Sequence, residues 1–255
     1  MAIAVSFPSS CIVALAMIHL LPTPAEPQVF ALWERILFVA LAGASALLFW
    51  RRFGPILGRI LHAKRDPDFG LSPLARRVRD FFFEVLLQSK VIRERPLAGL
   101  AHALVFWAFC AFALVTLNHC AVILGIGFLD AAGFVGRIYF GVATLFAIAC
   151  AAAIAGLFAR RFFVQPKWLG KLSWESGLIA LLIFALMATY LAAFFVTAPG
   201  AVRALWWAHT LTLLAFLPLI PHTKHLHLLL SPVTVFLSRG AFAHIPPLSG
   251  DEDFG

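Results

Sequence analysis

The stretch His209–His227 reads HTLTLLAFLPLIPHTKHLH. It is apolar enough to lie in a lipid bilayer, yet it carries four of the 9 histidines of the sequence. Histidine is costly at membrane depth, so it usually faces the interior of a helix bundle or a binding site. The stretch therefore predicts a membrane-embedded helix that contributes to a site.

The composition of the whole chain favours a membrane protein. Of its 255 residues, 62% are hydrophobic and 13% are charged, whereas a soluble domain carries about 25% charged residues. The formal net charge is +8, but the basic residues cluster in a few loops, which indicates membrane topology rather than nucleic-acid binding. The 4 cysteines stand singly without a CxxC pair. The chain by itself therefore predicts neither an iron–sulfur cluster nor a zinc site.

We predict an all-α fold, an integral membrane helical bundle with about five transmembrane helices. Apolar stretches of spanning length place these helices at about 29–50, 97–122, 134–158, 177–197 and 204–230. An apolar segment with a Pro-rich linker, residues 1–28, precedes the bundle of residues 29–230, and residues 231–255 form a tail. Within the polar connection 51–96, the stretch Leu74–Leu87 predicts a cytoplasmic amphipathic helix on the membrane surface.

The distribution of basic residues predicts the orientation of the bundle. The connection 51–96, the loop 160–171 and the region from Lys224 onward hold most of the 20 Lys and Arg residues. The positive-inside rule places these segments, and with them the C-terminus, in the cytoplasm. We therefore expect a multi-pass protein of the cytoplasmic membrane of a prokaryote.

The histidines inside the predicted spans pair by depth. His209 and His227 are 18 residues apart, which is five helical turns, or roughly 27 Å along one face of a helix. The second span carries His102 near its start and His119 near its end, roughly 25 Å apart. His102 and His227 share the cytoplasmic depth, and the other two share the outer depth. Two imidazoles at one depth on two helices are what a membrane cytochrome b needs to hold a haem iron.

The two pairs differ in how well their rings are predicted to converge. We expect His102 and His227 to ligate one haem b. An outer haem held by His209 and His119 is a second expectation, but 17 residues turn an ideal helix about 100° out of register, so His119 would need a helix distortion. Ordinary interfacial histidines are the alternative in both places. Lys224, one turn before His227, either reaches a haem propionate or extends to anionic headgroups.

Two stretches resemble a known family of membrane cytochromes. His209–His227, which ends in Pro221, a basic residue at 224 and His227, resembles the last helix of the cytochrome b (gamma) subunit of respiratory nitrate reductase. The stretch GLAHALVFWAFCAFA around His102 resembles the second helix of that family. The resemblance covers about residues 30–255 and is strongest in the second and fifth spans.

Three further stretches are similar to a subgroup associated with heterodisulfide-reductase-like iron–sulfur proteins, of the electron-transfer-flavoprotein:menaquinone oxidoreductase type. They are LLQSKVIRERPLAGLAHALVFW, PHTKHLHLLLSPVTVF and PPLSGDEDFG. In fused relatives the iron–sulfur region follows a tail of the last kind. The resemblance therefore implies an iron–sulfur partner beyond the tail 231–255, either as a separate subunit or as a continuation of the chain.

The resemblance also implies ligand roles. His102 and His227 match the ligands of the cytoplasm-side haem, and His209 matches a ligand of the outer haem. The family's partner for His209 lies ten residues after the first ligand, where this sequence has Phe112. Either His119 replaces that ligand, with His19 as a weaker candidate, or the protein holds one haem instead of two.

The function that we expect is that of a haem b membrane subunit. It would pass electrons between a cytoplasmic iron–sulfur protein or flavoprotein, such as electron-transfer flavoprotein, and the menaquinone or ubiquinone pool. It would then be the membrane part of a quinone oxidoreductase, in contact with lipid and quinone but not with nucleic acid. A haem-free anchor of an enzyme complex is one alternative. A proton or ion transporter with intramembrane histidines is another, although the spans lack deep Asp and Glu.

Overall fold

A computed structural model of the chain describes residues 23–27, 29–64, 67, 69–166 and 173–238, and within these ranges all regular structure is helical. We number eight α-helices there: α1 (Leu32–Leu61), α2 (Leu74–Asp80), α3 (Ser89–Glu94), α4 (Pro96–Leu124), α5 (Phe134–Ala159), α6 (Trp174–Ala192), α7 (Pro199–His222) and α8 (His227–Leu237). Two π-helices, Phe81–Leu86 and Arg160–Val164, and a 3-10 helix, Lys224–Leu226, lie between them.

Five helices, α1, α4, α5, α6 and α7, are long and apolar enough to cross a membrane. The prediction of an all-α bundle with five such helices is therefore confirmed. Their outer faces carry large apolar side chains, and Leu32, Leu97 and Leu145 are 73%, 88% and 68% exposed. Soluble monomers rarely expose large contiguous apolar surface, so the outside of this bundle suits lipid rather than water.

The helices pack in the order α4, α5, α6, α7 and α1, each against the next. The core of the bundle has small residues of α5 at its centre, among them Ala143, Ala147 and Cys150, and small residues let membrane helices approach closely. The backbones of α4 and α7 are not among the closely packed pairs. These two helices meet through rings such as Phe109 and Phe216, whose centroids are 5.7 Å apart. Both sites described below lie along this looser α4–α7 contact.

An ion pair with a buried carboxylate docks α1 on α7. Glu34 is fully buried, and its carboxylate accepts hydrogen bonds from Arg203 Nη1 at 2.6 Å and Trp207 Nε1 at 3.1 Å. The Ala31 amide donates a third at 2.8 Å. Three donors compensate for the loss of water around the carboxylate. The charge that interrupts the first apolar stretch therefore holds the first helix in place.

The first spanning helix is longer than predicted. The sequence places its end before Arg51 and Arg52, but α1 runs through both and through Pro55 to Leu61. Arginine is a good helix former, so a change from apolar to basic residues marks the end of the apolar part rather than the end of the helix.

The fifth span, predicted over 204–230, is two helices instead of one. α7 ends at His222, Thr223 is extended, and α8 begins at His227. Pro218 and Pro221 remove two backbone donors from the last turns of α7, which weakens the helix there. His209 and His227 therefore lie on different helices, and the premise that they share one helix face is wrong.

The connection between α1 and α4 forms a platform of α2, the π-helix Phe81–Leu86 and α3, so a helical segment lies where the sequence predicts Leu74–Leu87. α8 packs against α2 and the π-helix. The buried Arg77 of α2 donates to the carbonyls of Phe236 at 2.8 Å and Ser238 at 3.0 Å. The first residues of the predicted tail 231–255 thus belong to α8, while 239–255, like 1–22 and 28, lie outside the described residues.

Candidate functional site

A cavity of about 600 Å³ lies beside α4, at the end where α3 and α8 meet the bundle. We call it the His102 cavity. Its lining residues come from six α-helices, the π-helix Phe81–Leu86 and the 3-10 helix, and they include the rings of His102, Phe106, Phe109, Phe216, His225 and His227. Cofactor and ligand sites typically measure about 300–1,000 Å³ and are mostly apolar with a few polar groups. The cavity has the size and lining of such a site.

The structure brings the predicted pair His102 and His227 together in this cavity. Their ring centroids are 6.1 Å apart and their planes are inclined by 32°. A metal bound about 2 Å from one nitrogen of each imidazole places the two centroids roughly 6 Å apart. The spacing therefore suits a single metal ion between the rings.

The hydrogen bond of His227 fixes its tautomer. Nδ1 lies 2.7 Å from the carbonyl oxygen of Lys224, and a carbonyl can only accept. Nδ1 therefore carries the proton, which leaves the lone pair on Nε2. A backbone carbonyl on the second nitrogen is the usual support of a metal-binding histidine, since it fixes the ring and raises its basicity.

His102 shows a related feature. Its Nδ1 is buried without a hydrogen-bond partner in the described part of the chain. Leaving a buried polar atom unsatisfied costs about 1–3 kcal/mol, and such an atom in a native protein commonly marks the place of a water, ion or ligand. The His102 ring is thus incomplete without a further group in or beside the cavity.

The break after α7 gives His227 its position. Thr223 Oγ1 accepts from the His225 amide at 3.2 Å and donates to the Leu219 carbonyl at 2.8 Å. This caps the 3-10 turn, after which α8 starts in a new direction with His227 as its first residue. The predicted pairing of His102 with His227 holds, although the straight helix on which the prediction rested does not exist.

The wall formed by α3 depends on Gly99. A Cβ at this position would overlap the Val91 carbonyl, so only glycine lets α3 lie this close to the start of α4. Lys90 and Val91 of α3 line the cavity. Gln88, just before α3, adopts a left-handed conformation with φ 54° and donates to Val85 O at 2.7 Å.

Several polar or charged side chains contribute to the wall of the cavity. Lys224, Lys90, Glu84 and His225 all line it. The Lys224 ammonium donates to Ser176 Oγ, so its predicted contact with a propionate requires exchange of that bond. Burial, with smaller contributions from His227 and Lys224, lowers the pKa of His225 to about 4. His225 is therefore neutral near pH 7.

The second predicted pair, His119 and His209, also meets, about 25 Å farther along α4. The ring centroids are 5.0 Å apart at 61°. α4 is continuous through both of its histidines, so the helix distortion that the sequence required is not present. No such distortion is needed, because His102 faces α8 whereas His119 faces α7. The two rings therefore do not have to lie on the same face of α4.

The surroundings of this second pair differ from those of the first. His119 Nε2 lies 2.8 Å from Thr210 Oγ1, and His209 Nδ1 lies 2.8 Å from Thr189 Oγ1. The His119 ring also stacks on Trp206 with 4.5 Å between centroids. The cavity beside the pair measures about 40 Å³, which accommodates one or two water molecules. We call it the His119 cavity.

The residues at the His119 cavity do not fit a second haem. Phe112, which stands where the resembling family has a ligand, is buried against Tyr190 with 4.8 Å between ring centroids. The pair His119–His209 is closer than the roughly 6 Å of a two-imidazole metal site, and its cavity is far smaller than a cofactor pocket. The expected outer haem is therefore not supported by this geometry, and His19 lies outside the described residues.

Sequence reasoning missed several polar residues that shape these sites. Glu34 and Arg203 are 169 positions apart in the chain, and no local pattern links them. Asn118, buried within the second span, accepts hydrogen bonds from two amides of the turn after α4. Glu26 lines the His119 cavity from the segment before α1. A lone polar residue in an apolar stretch is the signal that could have drawn attention to Glu34 and Asn118.

Comparisons with protein-family models, with curated proteins and with solved structures found no match. What the chain does is therefore inferred from its own residues and their geometry.

Proposed function

We propose that the chain is a haem b membrane subunit that passes electrons between a partner at the His102 end of the bundle and the membrane quinone pool. The observation that carries this proposal is the pair His102–His227, 6.1 Å apart across a cavity of about 600 Å³. Bound there, haem b would supply one-electron redox chemistry, with a potential that depends on the residues holding it and on its burial.

The chain's own residues have distinct roles in this proposal. His102 and His227 would hold the iron of the haem, and the Lys224 carbonyl holds the His227 ring by its Nδ1 proton. Phe106, Phe109 and Phe216 give the cavity an apolar lining, which excludes water from a flat apolar group. Lys224 and Lys90 line the cavity and could pair with carboxylate groups of the cofactor.

The protein partner and the quinone are inferred from the sequence. The connection 51–96, the loop 160–171 and the region from Lys224 onward hold most of the 20 Lys and Arg residues, so an acidic iron–sulfur protein or flavoprotein would be steered to this end by charge. The positive-inside rule places the same end in the cytoplasm of a prokaryotic cell. The donor would be of the electron-transfer-flavoprotein type, and menaquinone or ubiquinone would be the mobile carrier in the membrane.

Reduced-minus-oxidised absorbance of the purified chain tests the proposal. His102→Ala and His227→Ala should each abolish the haem b difference band, because each variant removes one of the two imidazoles that would hold the haem. His222→Ala is the matched control: His222 is exposed, its Nδ1 lies 2.7 Å from the Pro218 carbonyl oxygen, and it precedes His227 by five residues. Its variant should keep the full band.

Two outcomes would contradict the proposal. If wild-type protein that has been expressed with an adequate haem supply contains none, the chain is a haem-free anchor instead. If haem is present but both alanine variants retain it, the ligands have been assigned to the wrong residues. Insertion into membranes, followed by protease protection, shows that a loss of haem is not a loss of folding.

A further inference from the structure

The His119 cavity gathers four titratable side chains that the proposed electron transfer does not use. Glu26 reaches it from the segment before α1, and His119 from α4. α6 contributes Tyr190 and α7 contributes His209. α5 contributes Phe140, which is apolar. A space of about 40 Å³ surrounded by these groups suits a water molecule with several polar partners.

The threonines fix the tautomers of both histidines. Thr189 Oγ1 donates its proton to the Ala185 carbonyl at 2.7 Å, so it accepts from His209 Nδ1. Thr210 Oγ1 donates to the Trp206 carbonyl at 2.9 Å, so it accepts from His119 Nε2. A neutral imidazole has one proton and one lone pair. Each ring therefore keeps a basic nitrogen: Nε2 of His209 and Nδ1 of His119.

Trp206 provides an independent indication that the cavity holds a small polar molecule. Its side chain is 4% exposed, and its Nε1 is buried without a hydrogen-bond partner among the described residues. Trp206 lines the same cavity. A buried indole N–H normally has an acceptor, and a water in the cavity would be one.

Glu26 lines this cavity from the segment that precedes α1. Its segment is tied to α6 by the Ala25 amide, which donates to the Ala193 carbonyl at 2.8 Å. Glu26 is only partly buried, so it can exchange protons with water outside. Burial raises the pKa of its carboxyl above the ordinary value, which suits a group that holds a proton and passes it on.

We propose that the His119 cavity is a proton-exchange site whose ligands are water and hydronium. A proton moves from the Glu26 carboxyl through a water to the lone pair of His209 Nε2 or His119 Nδ1. This forms an imidazolium and leaves a carboxylate, which takes its replacement proton from water outside. No electron changes place. Stacking of His119 on Trp206 at 4.5 Å stabilises the imidazolium through the negative face of the indole.

Infrared difference spectroscopy on the full chain in lipid nanodiscs tests this site. The spectra compare the protein at stepped pH in H2O and D2O. The wild type should show the band of a protonated carboxyl group, and this band should shift in D2O. Its titration midpoint should lie at a higher pH than that of an ordinary glutamate. Glu26→Gln should remove that band, whereas Glu175→Gln, at an exposed position in the first turn of α6 and so far from Tyr190 of the same helix, should keep it.

A second variant tests the link to the histidines. Thr189→Val keeps the side-chain volume but removes the acceptor of His209 Nδ1, so it should lower the basicity of the ring. We expect it to shift the midpoints of both the histidine bands and the Glu26 band. Rescue by Thr189→Ser, which restores the hydroxyl, separates this effect from loss of packing.

Three outcomes would overturn the proposal. The carboxyl band persists in Glu26→Gln, its midpoint is that of an exposed glutamate, or a metal ion or second haem binds and is lost in His209→Gln. None of these readouts uses the haem at His102 and His227. Failure of the proton site and failure of the electron-transfer proposal are therefore distinguishable.

Discussion

Each end of this bundle has a pair of facing histidines, but the two pairs differ in their hydrogen-bond partners and in the volume of the cavity beside them. At the His102 cavity, one imidazole nitrogen is held by a backbone carbonyl, another is left without a partner among the described residues, and about 600 Å³ lie beside them. At the His119 cavity, two threonine hydroxyls hold the rings, a tryptophan stacks on one of them, and about 40 Å³ remain.

From this difference we infer that a pair of facing histidines is not by itself a cofactor site. Both pairs join the helix α4 to the segment α7–α8, and depth along the helices predicts both. What separates them is the break after His222, which turns α8 away from the line of α7 and opens space beside His227. At the other end α7 stays regular, so its side chains fill the gap to α4.

The largest expected difference between the two ends is in haem content. His209→Ala and His119→Ala should keep one haem per chain, whereas His102→Ala should keep none. Phe112→His restores the ligand position of the resembling family, yet it should not add a second haem, because the site is packed. It should instead lower stability by about 1–3 kcal/mol, since the new imidazole is buried without a partner.

Pyridine haemochrome assay per mole of protein, together with thermal unfolding in detergent, measures both effects. Two haems in Phe112→His, or loss of the absorbance band in His209→Ala, would show that the His119 end is a metal site after all. A conservative control is Phe112→Leu, which keeps the position apolar and should leave haem content unchanged.

Much of the fold could be predicted because membrane spanning depends on local composition. Four of the five predicted spans correspond in place to α1, α4, α5 and α6, and Pro96 and Pro199 begin their helices as N-terminal prolines. The end of α7 could not be predicted. Proline in a membrane helix can kink it or end it, and which occurs depends on neighbours that satisfy the freed carbonyls.

The pairing of the histidines was predictable and the use of each pair was not. Depth along a helix follows from residue number, so His102 with His227 and His119 with His209 could be paired from sequence. Cavity volume depends on long-range packing, and the hydroxyls of Thr189 and Thr210 are recognisable as partners only when α4, α6 and α7 are assembled.

Gly99→Ala should change the His102 end alone. Its methyl group would overlap the Val91 carbonyl, so α3 must move away from α4, at a cost of about 1–3 kcal/mol. Because Lys90 and Val91 line the cavity, the variant should also lose haem faster. Gly58→Ala in α1 is the control, since a Cβ there meets nothing within 4 Å.

Thermal unfolding followed by haem absorbance compares the two glycine variants. Gly58→Ala should be neutral or stabilising by up to about 1 kcal/mol, because alanine favours a helix over glycine. Equal midpoints for the two variants would mean that α3 does not hold the cavity wall in place. If Gly99→Ala retained its haem to a higher temperature than Gly58→Ala, the result would contradict the prediction.

The smallest expected effect is a pH dependence confined to the His119 end. Burial raises the pKa of Glu26 above its ordinary value of 4.5. The segment 23–27 therefore binds this proton more tightly when it is packed against α6 (closed) than when it has moved away and Glu26 is exposed (open). The resulting stabilisation is full below pH 4.5 and is lost as the pH rises through the raised pKa. Opening of the segment should therefore increase over that range.

Exchange of the Ala25 amide, which donates to the Ala193 carbonyl at 2.8 Å, reports this opening. After correction for base catalysis, wild-type exchange should rise with pH while Glu26→Gln shows no residual dependence. The Val202 amide, bonded to the Ala198 carbonyl at 2.9 Å, is the internal control at the same end and should be flat in both proteins. If Ala25 and Val202 respond alike, the end opens as a whole, and the titration of Glu26 does not govern access to the His119 cavity.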